Sequence, residues 1–585
     1  MKELQYLNKF FVKYKWKLIL GLFITIGARI FSLFTPQLIG DSTNVIEQYV
    51  NGEITDIDIV KDELLLNIGL IIGAALMSAF LTFLMRQTFI VVSRYIEYDL
   101  KNEVFQQYHN LSLNFYKKNR TGDLMNRISD DVSKVRMYAG PALMYGVTTL
   151  TLFVVVISYM FSTAPVLTLY TLIPLPVLSF AIYKLSVAIN QRSNIVQQFL
   201  SKLHTFTQES FSGVAVIKSY GIEKMVQSDF TDLSNESKAK NIDLVKVQAF
   251  FFPLMILLIG LSNLLVIYIG GSRYMDGQIA NVGVIVEFLL YVNMLTWPVA
   301  SVGWITSMVQ RAEASQKRIN EFLSEKPEIE NHTVEHHEIK GDIKFNNVTF
   351  TYDDTQITAL KNVSFHLKQG ETLAIMGKTG SGKSTILELI GRLYDVQQGD
   401  VLIDGQKIAT IHLNDLRESI GYVPQDAFLF SDTIRNNIRF GYADATEEEV
   451  IEAAKNAAVH NNITDFHRGY DTILGERGIT LSGGQKQRIS IARAIIKNPR
   501  IVLFDDCLSA VDTETEEAIF EKLKEISNKK TSILVSHRVS SAKFADQIII
   551  LDQGAIIQKG SHEELMNQDG YYRQLYQKQL SEKDY

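Results

Sequence analysis

Apolar residues in the first 310 positions gather into six long runs, at 18–39, 64–85, 141–162, 165–184, 249–270 and 282–305. Each is close to the roughly 20 residues a helix needs to cross a hydrocarbon core. Core helices of soluble proteins rarely repeat at that length, so the pattern predicts six membrane spans. The first run is too long for a cleavable signal, has no small-residue cleavage site and is followed by five more. The two long stretches between spans, 86–140 and 185–248, contain no proline and intersperse charges among apolar residues at helical intervals. They predict helices that continue out of the membrane, each broken once, around 119–122 and around Gly213.

Beyond a charged link at 323–340 the apolar content falls, and short strand-like runs alternate with helical ones, the pattern of an α/β domain. The expected architecture is an all-α six-helix transmembrane domain over 1–322, then an α/β domain over 341–580. At 585 residues the chain is too long for one ordinary domain. Its net charge of −6 is carried by the second half, leaving no basic domain to neutralise a phosphate backbone, so nucleic acid is excluded as the main partner. The single cysteine, Cys507, rules out an intrachain disulfide or a CxxC metal site and reads as a structural thiol.

Lys and Arg set the orientation. The stretch 86–140 carries nine of them, whereas 41–63 has only Lys61 and the link between the fifth and sixth spans only Arg273. Both chain ends and both long connections are therefore expected in the cytoplasm, with the protein in the inner (cytoplasmic) membrane. Residues 4–14, LQYLNKFFVKY, read either as an interfacial helix among the membrane lipids or as a positive flank that fixes topology. Two ionisable residues fall inside spans, Arg29 and Glu287; they line a substrate cavity or form an interhelical salt bridge, or Glu287 simply reaches the outer interface. Trp297 and Trp304 serve as packing or interface anchors, or as cavity walls.

The α/β half carries the chemistry. In LAIMGKTGSGKSTILELI a short apolar strand runs into Gly377, Lys378, Thr379, Gly380, Ser381, Gly382, Lys383 and Ser384, followed by Thr385 and a helix, the G-x-x-x-x-G-K-[ST] phosphate loop in its proper context. Glycines let backbone N–H groups wrap phosphates at a helix N-terminus, Lys383 adds a cation and Ser384 offers a hydroxyl to Mg2+. Downstream, four apolar residues end in Asp505, the form of a buried strand delivering a second Mg2+ ligand. Between them LSGGQ, Leu481, Ser482, Gly483, Gly484 and Gln485, opens a helical run, as a second anion site or simply a helix cap.

The phosphate loop, LSGGQ, the Asp505 strand and SHR at 536–538, in this order after six spans, resemble an ATP-binding cassette exporter of the fused half-transporter kind, multidrug or lipid type. The resemblance covers nearly the whole chain. It implies an α/β P-loop NTPase fold, ATP and Mg2+ as substrate and cofactor, and alternating-access export of a lipophilic small molecule or lipid. Tyr352 then resembles the aromatic that stacks on adenine, Gln425 the glutamine that senses Mg2+ and water, His537 the switch histidine on the γ-phosphate. Glu476 matches the acidic residue that touches the transmembrane loops, and Asp512 the aspartate that speaks across the dimer. Two cassettes pack head to tail in this family, so Ser482 and Gly484 of one chain close the site built on Lys383 of another. A second half-transporter is thereby implied.

The chain departs from the family after the Mg2+-binding aspartate, where Asp506 replaces the usual water-orienting Glu. The side chain is shorter by about 1.5 Å, and misplacement on the order of 1 Å can cost roughly a hundredfold in rate. This favours a heterodimer in which this chain's own site is slow and its LSGGQ serves an active site on a different chain; a homodimer with Asp506 as a shorter base is the alternative. A regulatory or channel-like subunit that binds ATP without pumping is the competing function, and substrate identity stays open.

Overall fold

The computed structural model describes residues 2–331, 333–475, 481–507 and 530–583, with positions 175, 178, 300, 582 and 583 described by backbone alone. The chain divides into two compact units, Met1–His109 with Gly122–Glu325, and Asn110–Thr121 with Lys326–Tyr585.

The first unit is helical throughout. Among the described residues five helices are long and apolar enough to span a membrane: Lys15–Val50, Ile57–Asn110, Thr121–Thr163, Glu223–Met275 and Gly283–Ser324. The sixth expected run, 165–184, is also helical but divided. Pro165–Leu172 stops at Ile173, and Pro174–Ser212 begins anew, because Pro174 has no N–H to continue the ladder. At 54 residues, Ile57–Asn110 is about 80 Å long, far more than a bilayer core, so the spans do continue beyond the membrane. The first extension breaks on both sides of the short helix Leu113–Lys118. The second breaks at Gly213 and again at Gly221, whose φ of +63° ends Val214–Tyr220 before Glu223–Ala249 begins.

Helices approach closely where side chains are absent. A Cβ on Gly21 would stand 2.6 Å from Thr88 Oγ1, and one on Gly283 2.3 Å from the Gly40 carbonyl oxygen. Leu152, Val156, Met160, Leu167, Val266 and Phe288 form part of the buried core. By contrast Leu65, Ile68, Ile72, Leu76 and Phe80 of the second long helix are exposed, as a lipid-facing surface requires. The amphipathic N-terminal segment packs inward: Leu4, Leu7 and Phe10 are buried in protein, while Val12 and Trp16 face out. Lys9 and Lys13 pair with Glu103 and Asp99, both at 2.7 Å, and Asn320 donates to the Glu3 carbonyl at 3.1 Å.

The second unit holds two sheets. β1 (Ile343–Thr351), β2 (Thr358–Leu367), β4 (Gln398–Ile403) and β5 (Gln406–Lys407) form an antiparallel sheet in the order β2-β1-β4-β5. β3 (Thr372–Gly377), β6 (Ile420–Val423), β7 (Ile501–Asp505), β8 (Thr531–Val535), β9 (Gln547–Asp552) and β10 (Ala555–Gly560) form the other, in the order β10-β9-β3-β8-β7-β6. All neighbours from β9 to β6 run parallel, and β3, β7 and β8 are buried along nearly their whole length because both faces of the sheet are covered. The chain crosses over between β3 and its neighbours, so the loops leaving β3, β8, β7 and β6 all open on one edge. That edge is where α/β sheets bind ligands.

Candidate nucleotide site

Four strand ends build the site. β3 delivers Gly377, β7 Asp505 and Asp506, β8 Ser536 and His537, and β6, two residues on, Gln425. The Ser536 amide donates to Ile375 at 3.2 Å and the Asp506 amide to Val535 at 3.1 Å, which ties these ends laterally.

The loop after β3 needs its glycines. Gly377 has φ +148° and Gly382 φ +98°; a Cβ on either would stand within 2.2 Å of a carbonyl oxygen, of Leu551 and Ala359 respectively. Lys378, Thr379 and Gly380 are exposed at the tip. Lys383 opens the helix Lys383–Ile390 and curls back over its own loop, donating to the carbonyls of Gly377 at 3.1 Å and Lys378 at 2.9 Å. Burial lowers its pKa, and the carboxylates of Asp506 and then Asp505 oppose that shift. Ser384 Oγ donates to Asp505 Oδ1 at 2.9 Å, so a hydroxyl and a carboxylate already converge. Burial raises the Asp505 pKa, with the Ser384 hydrogen bond opposing it.

Ser381 tests whether this loop fits phosphates. Its Oγ is buried and makes no hydrogen bond among the described residues, although a hydroxyl left unsatisfied costs roughly 1–3 kcal/mol. A phosphate oxygen would accept from it. An orphaned donor, a glycine-shaped cradle, a buried lysine and the Ser384–Asp505 pair together fit a nucleotide with Mg2+.

Asp506 sits at φ +43°, a left-handed conformation that Asp tolerates better than longer side chains. His537 is exposed, and its carbonyl accepts from Gln579 Nε2 at 2.9 Å. Its pKa lies below 6.5, first through desolvation and then through the Lys383 charge, with Asp506 pulling the other way. Gln425 is exposed. Cys507 is buried in the core below.

Tyr352 is half-buried, its hydroxyl 3.0 Å from Thr385 Oγ1 and donating to Glu388 Oε2 at 2.8 Å. Sequence reasoning missed Glu388 and Lys117. Lys117, on the short helix that belongs to this unit, lies 4.7 Å from the Tyr352 ring centroid and 4.0 Å from Glu388. Glu388 stands four residues after Ser384, one helical turn along, and that spacing could have found it.

LSGGQ forms a helix start. Leu481 is buried, Ser482 caps Gly483–Ile495, and Ser482 and Gln485 make a reciprocal capping box at 3.0 and 3.3 Å. No hydrogen bond joins Leu481, Ser482, Gly483, Gly484 or Gln485 to the phosphate loop among the described residues. Glu476 and Asp512 lie outside the described residues.

The two intramembrane ionisable residues do not pair. Arg29 makes no ion pair among the described residues and its buried Nε lacks a partner. Glu287 is buried, with Tyr159 Oη donating to it at 3.5 Å and Gly40 packed against its side chain. Trp297 is exposed, and Trp304 stacks edge-on with Tyr145.

Residues 18–299 match the ABC transporter transmembrane region family, and residues 360–509 the ABC transporter family. The multidrug resistance-like ATP-binding protein MdlA of Escherichia coli is 34% identical, covering 97% of this chain and 95% of its own length. YheI of Bacillus subtilis, a probable multidrug resistance ABC transporter ATP-binding/permease protein, is 34% identical over 98% of this chain and 97% of its own. A bacterial Atm1-family ABC exporter solved with ATP bound superposes with a TM-score of 0.81 at 26% identity, covering 96% of this chain and 99% of that one. An apolar helical unit, a phosphate-binding strand edge and these full-length likenesses lead to one conclusion: the chain belongs to the ATP-binding cassette (ABC) transporter family and has the architecture of an exporter.

Proposed function

We propose that this chain is half of an ATP-driven exporter that moves a lipophilic or amphipathic substrate, a drug or a lipid, outward by alternating access. The observation that carries this is the gathering of Lys383, the Ser384–Asp505 pair, Asp506 and His537 on one sheet edge, with Ser381 offering an unpaired hydroxyl. The multidrug names of full-length relatives support the substrate class. The distribution of Lys and Arg supports a cytoplasmic cassette in a cytoplasmic membrane.

ATP is the substrate of the cassette. Its phosphates are held by the loop N–H groups, Ser381 and Lys383, and its adenine by Tyr352. Ser384, Asp505 and Gln425 hold Mg2+, which neutralises the phosphate charge. Asp506 orients the attacking water, and neutral His537 holds the γ-phosphate. Glu476 and Asp512 serve the interdomain and dimer contacts. Ser482 stands at an exposed helix start, so its partner is the phosphate loop of a second chain. Binding of two ATP molecules then joins the cassettes, and hydrolysis parts them.

The second chain is a different half-transporter, because Asp506 falls short of the usual Glu by one methylene, about 1.5 Å, which costs roughly a hundredfold where geometry is tight. The test is ATPase activity of this chain purified alone, beside Asp506→Glu and Asp506→Asn. Slow turnover that rises in Asp506→Glu supports the heterodimer; robust turnover abolished in Asp506→Asn overturns it in favour of a homodimer. Dye accumulation in inverted vesicles holding the full assembly, lost in Lys383→Ala, tests export itself against a gate that binds ATP without pumping.

A further inference from the structure

The link that enters the cassette carries two adjacent histidines, and one of them meets chemistry the transport cycle does not use. His336 Nδ1 lies 2.8 Å from Asp415 Oδ1, and His412 Nδ1 lies 3.3 Å from the same oxygen. The two imidazole rings are 4.3 Å apart. One donor atom from each of His336, His412 and Asp415 falls within 4.8 Å of the other two. Asp415 stands in the first turn of the helix Leu413–Ser419, directly after His412, and its other oxygen accepts from the His337 amide at 2.9 Å.

We propose that His336, His412 and Asp415 form a site for a divalent first-row transition ion of the zinc class, which fastens the link to the cassette. Two imidazoles and a carboxylate are borderline ligands that suit Zn2+, Co2+ or Ni2+, whereas Mg2+ prefers oxygen alone. A tetrahedral zinc with bonds of about 2.0–2.1 Å sets its ligand atoms roughly 3.3 Å apart. The 2.8 and 3.3 Å separations lie at or about 0.5 Å below that value, and rotation of the exposed His336 ring adjusts the third, which is within 4.8 Å. An independent observation points the same way. His412 Nδ1 is buried and makes no hydrogen bond among the described residues despite its proximity to Asp415, so a lone pair or a donor stands unused inside the cluster. The link is already tacked to this helix at Asn331, whose side chain accepts from the Leu413 amide at 3.2 Å, and at His337. A metal would complete that attachment with bonds far stronger than these exposed hydrogen bonds.

The test uses the full chain in detergent, without a histidine tag or nucleotide and stripped of metal, titrated with Zn2+ against a chromophoric chelator in excess Mg2+. One Zn2+ per chain is expected, weakened roughly ten- to hundredfold or more in His336→Ala, His412→Ala and Asp415→Asn. His366→Ala, which removes a His–Asp pair elsewhere in the cassette, should leave binding unchanged. His336→Cys places a softer ligand at the exposed position and should keep binding while giving a Co2+–thiolate absorption band. Absence of stoichiometric Zn2+, or affinity in the three ligand variants equal to that of the unmodified chain, overturns the proposal. Zn2+ should also slow proteolysis within 326–342 in the unmodified chain and not in His336→Ala.

Discussion

Ser381→Ala separates the cost of nucleotide binding from the cost of folding. In the nucleotide-free protein the Ser381 hydroxyl is buried and bonded to none of the described residues, so removing it breaks no interaction among them and relieves a desolvated polar group worth about 1–3 kcal/mol. Stability without nucleotide should therefore hold or rise. With ATP bound, the same hydroxyl donates to an anionic oxygen, and hydrogen bonds to charged groups contribute roughly 1.5–3 kcal/mol. At about 1.4 kcal/mol per decade, ATP affinity should fall on the order of 10- to 150-fold. Titration with a fluorescent ATP analogue reads the affinity, and thermal unfolding with and without ATP reads both effects on one sample. A variant that loses stability in the absence of nucleotide while binding ATP normally would refute the reasoning, because the hydroxyl would then have been a structural group.

Gly283→Ala in the membrane unit places a Cβ 2.3 Å from the Gly40 carbonyl oxygen and 2.2 Å from Asn44 Oδ1, so two helices must separate. The expected loss is about 1–3 kcal/mol, seen as a lower unfolding temperature in detergent, while Gly260→Ala, which meets open space, should be near neutral. His537 has a folded pKa below the 6.5 of the unfolded chain, so it is neutral at pH 7 and the unfolded chain takes the proton first as pH falls. Its contribution to stability declines below about pH 6.5, and the acid limb of the ATPase profile that vanishes in His537→Gln should lie below 6.5. A limb above that value would contradict the electrostatic picture of the site.

Much of this was legible along the chain because the signals are local and periodic. Apolar run length is a property of consecutive residues, so the long helices and their extension past the bilayer follow from counting. The division at Ile173 was also within reach, since Pro174 and Pro176 interrupt that run, but hydropathy alone passes over them. The phosphate loop was legible for a different reason, since its glycines answer local backbone needs that only this residue type meets. The residues that escaped were those brought in from elsewhere. Lys117 reaches the Tyr352 ring from 235 positions away, and nothing in either neighbourhood announces the other. The N-terminal amphipathic segment had the pattern of a lipid-facing helix, yet Leu4, Leu7 and Phe10 found a protein surface instead, because an apolar face does not specify what will cover it.

The sequence alone therefore determined the two halves, the membrane character of the first and the phosphate chemistry of the second, through run lengths and a motif whose residue types are each required by backbone geometry. Only the tertiary structure decided the convergence. Strand order β10-β9-β3-β8-β7-β6 brings Ser384 within 2.9 Å of Asp505 across 121 positions. Helix packing in the membrane unit leaves Arg29 without an ion pair among the described residues, and the path of the link sets His336 beside Asp415. Those outcomes depend on which strands neighbour one another and which faces are covered, and burial energy, summed over the whole core, fixes both without leaving a mark at any single position.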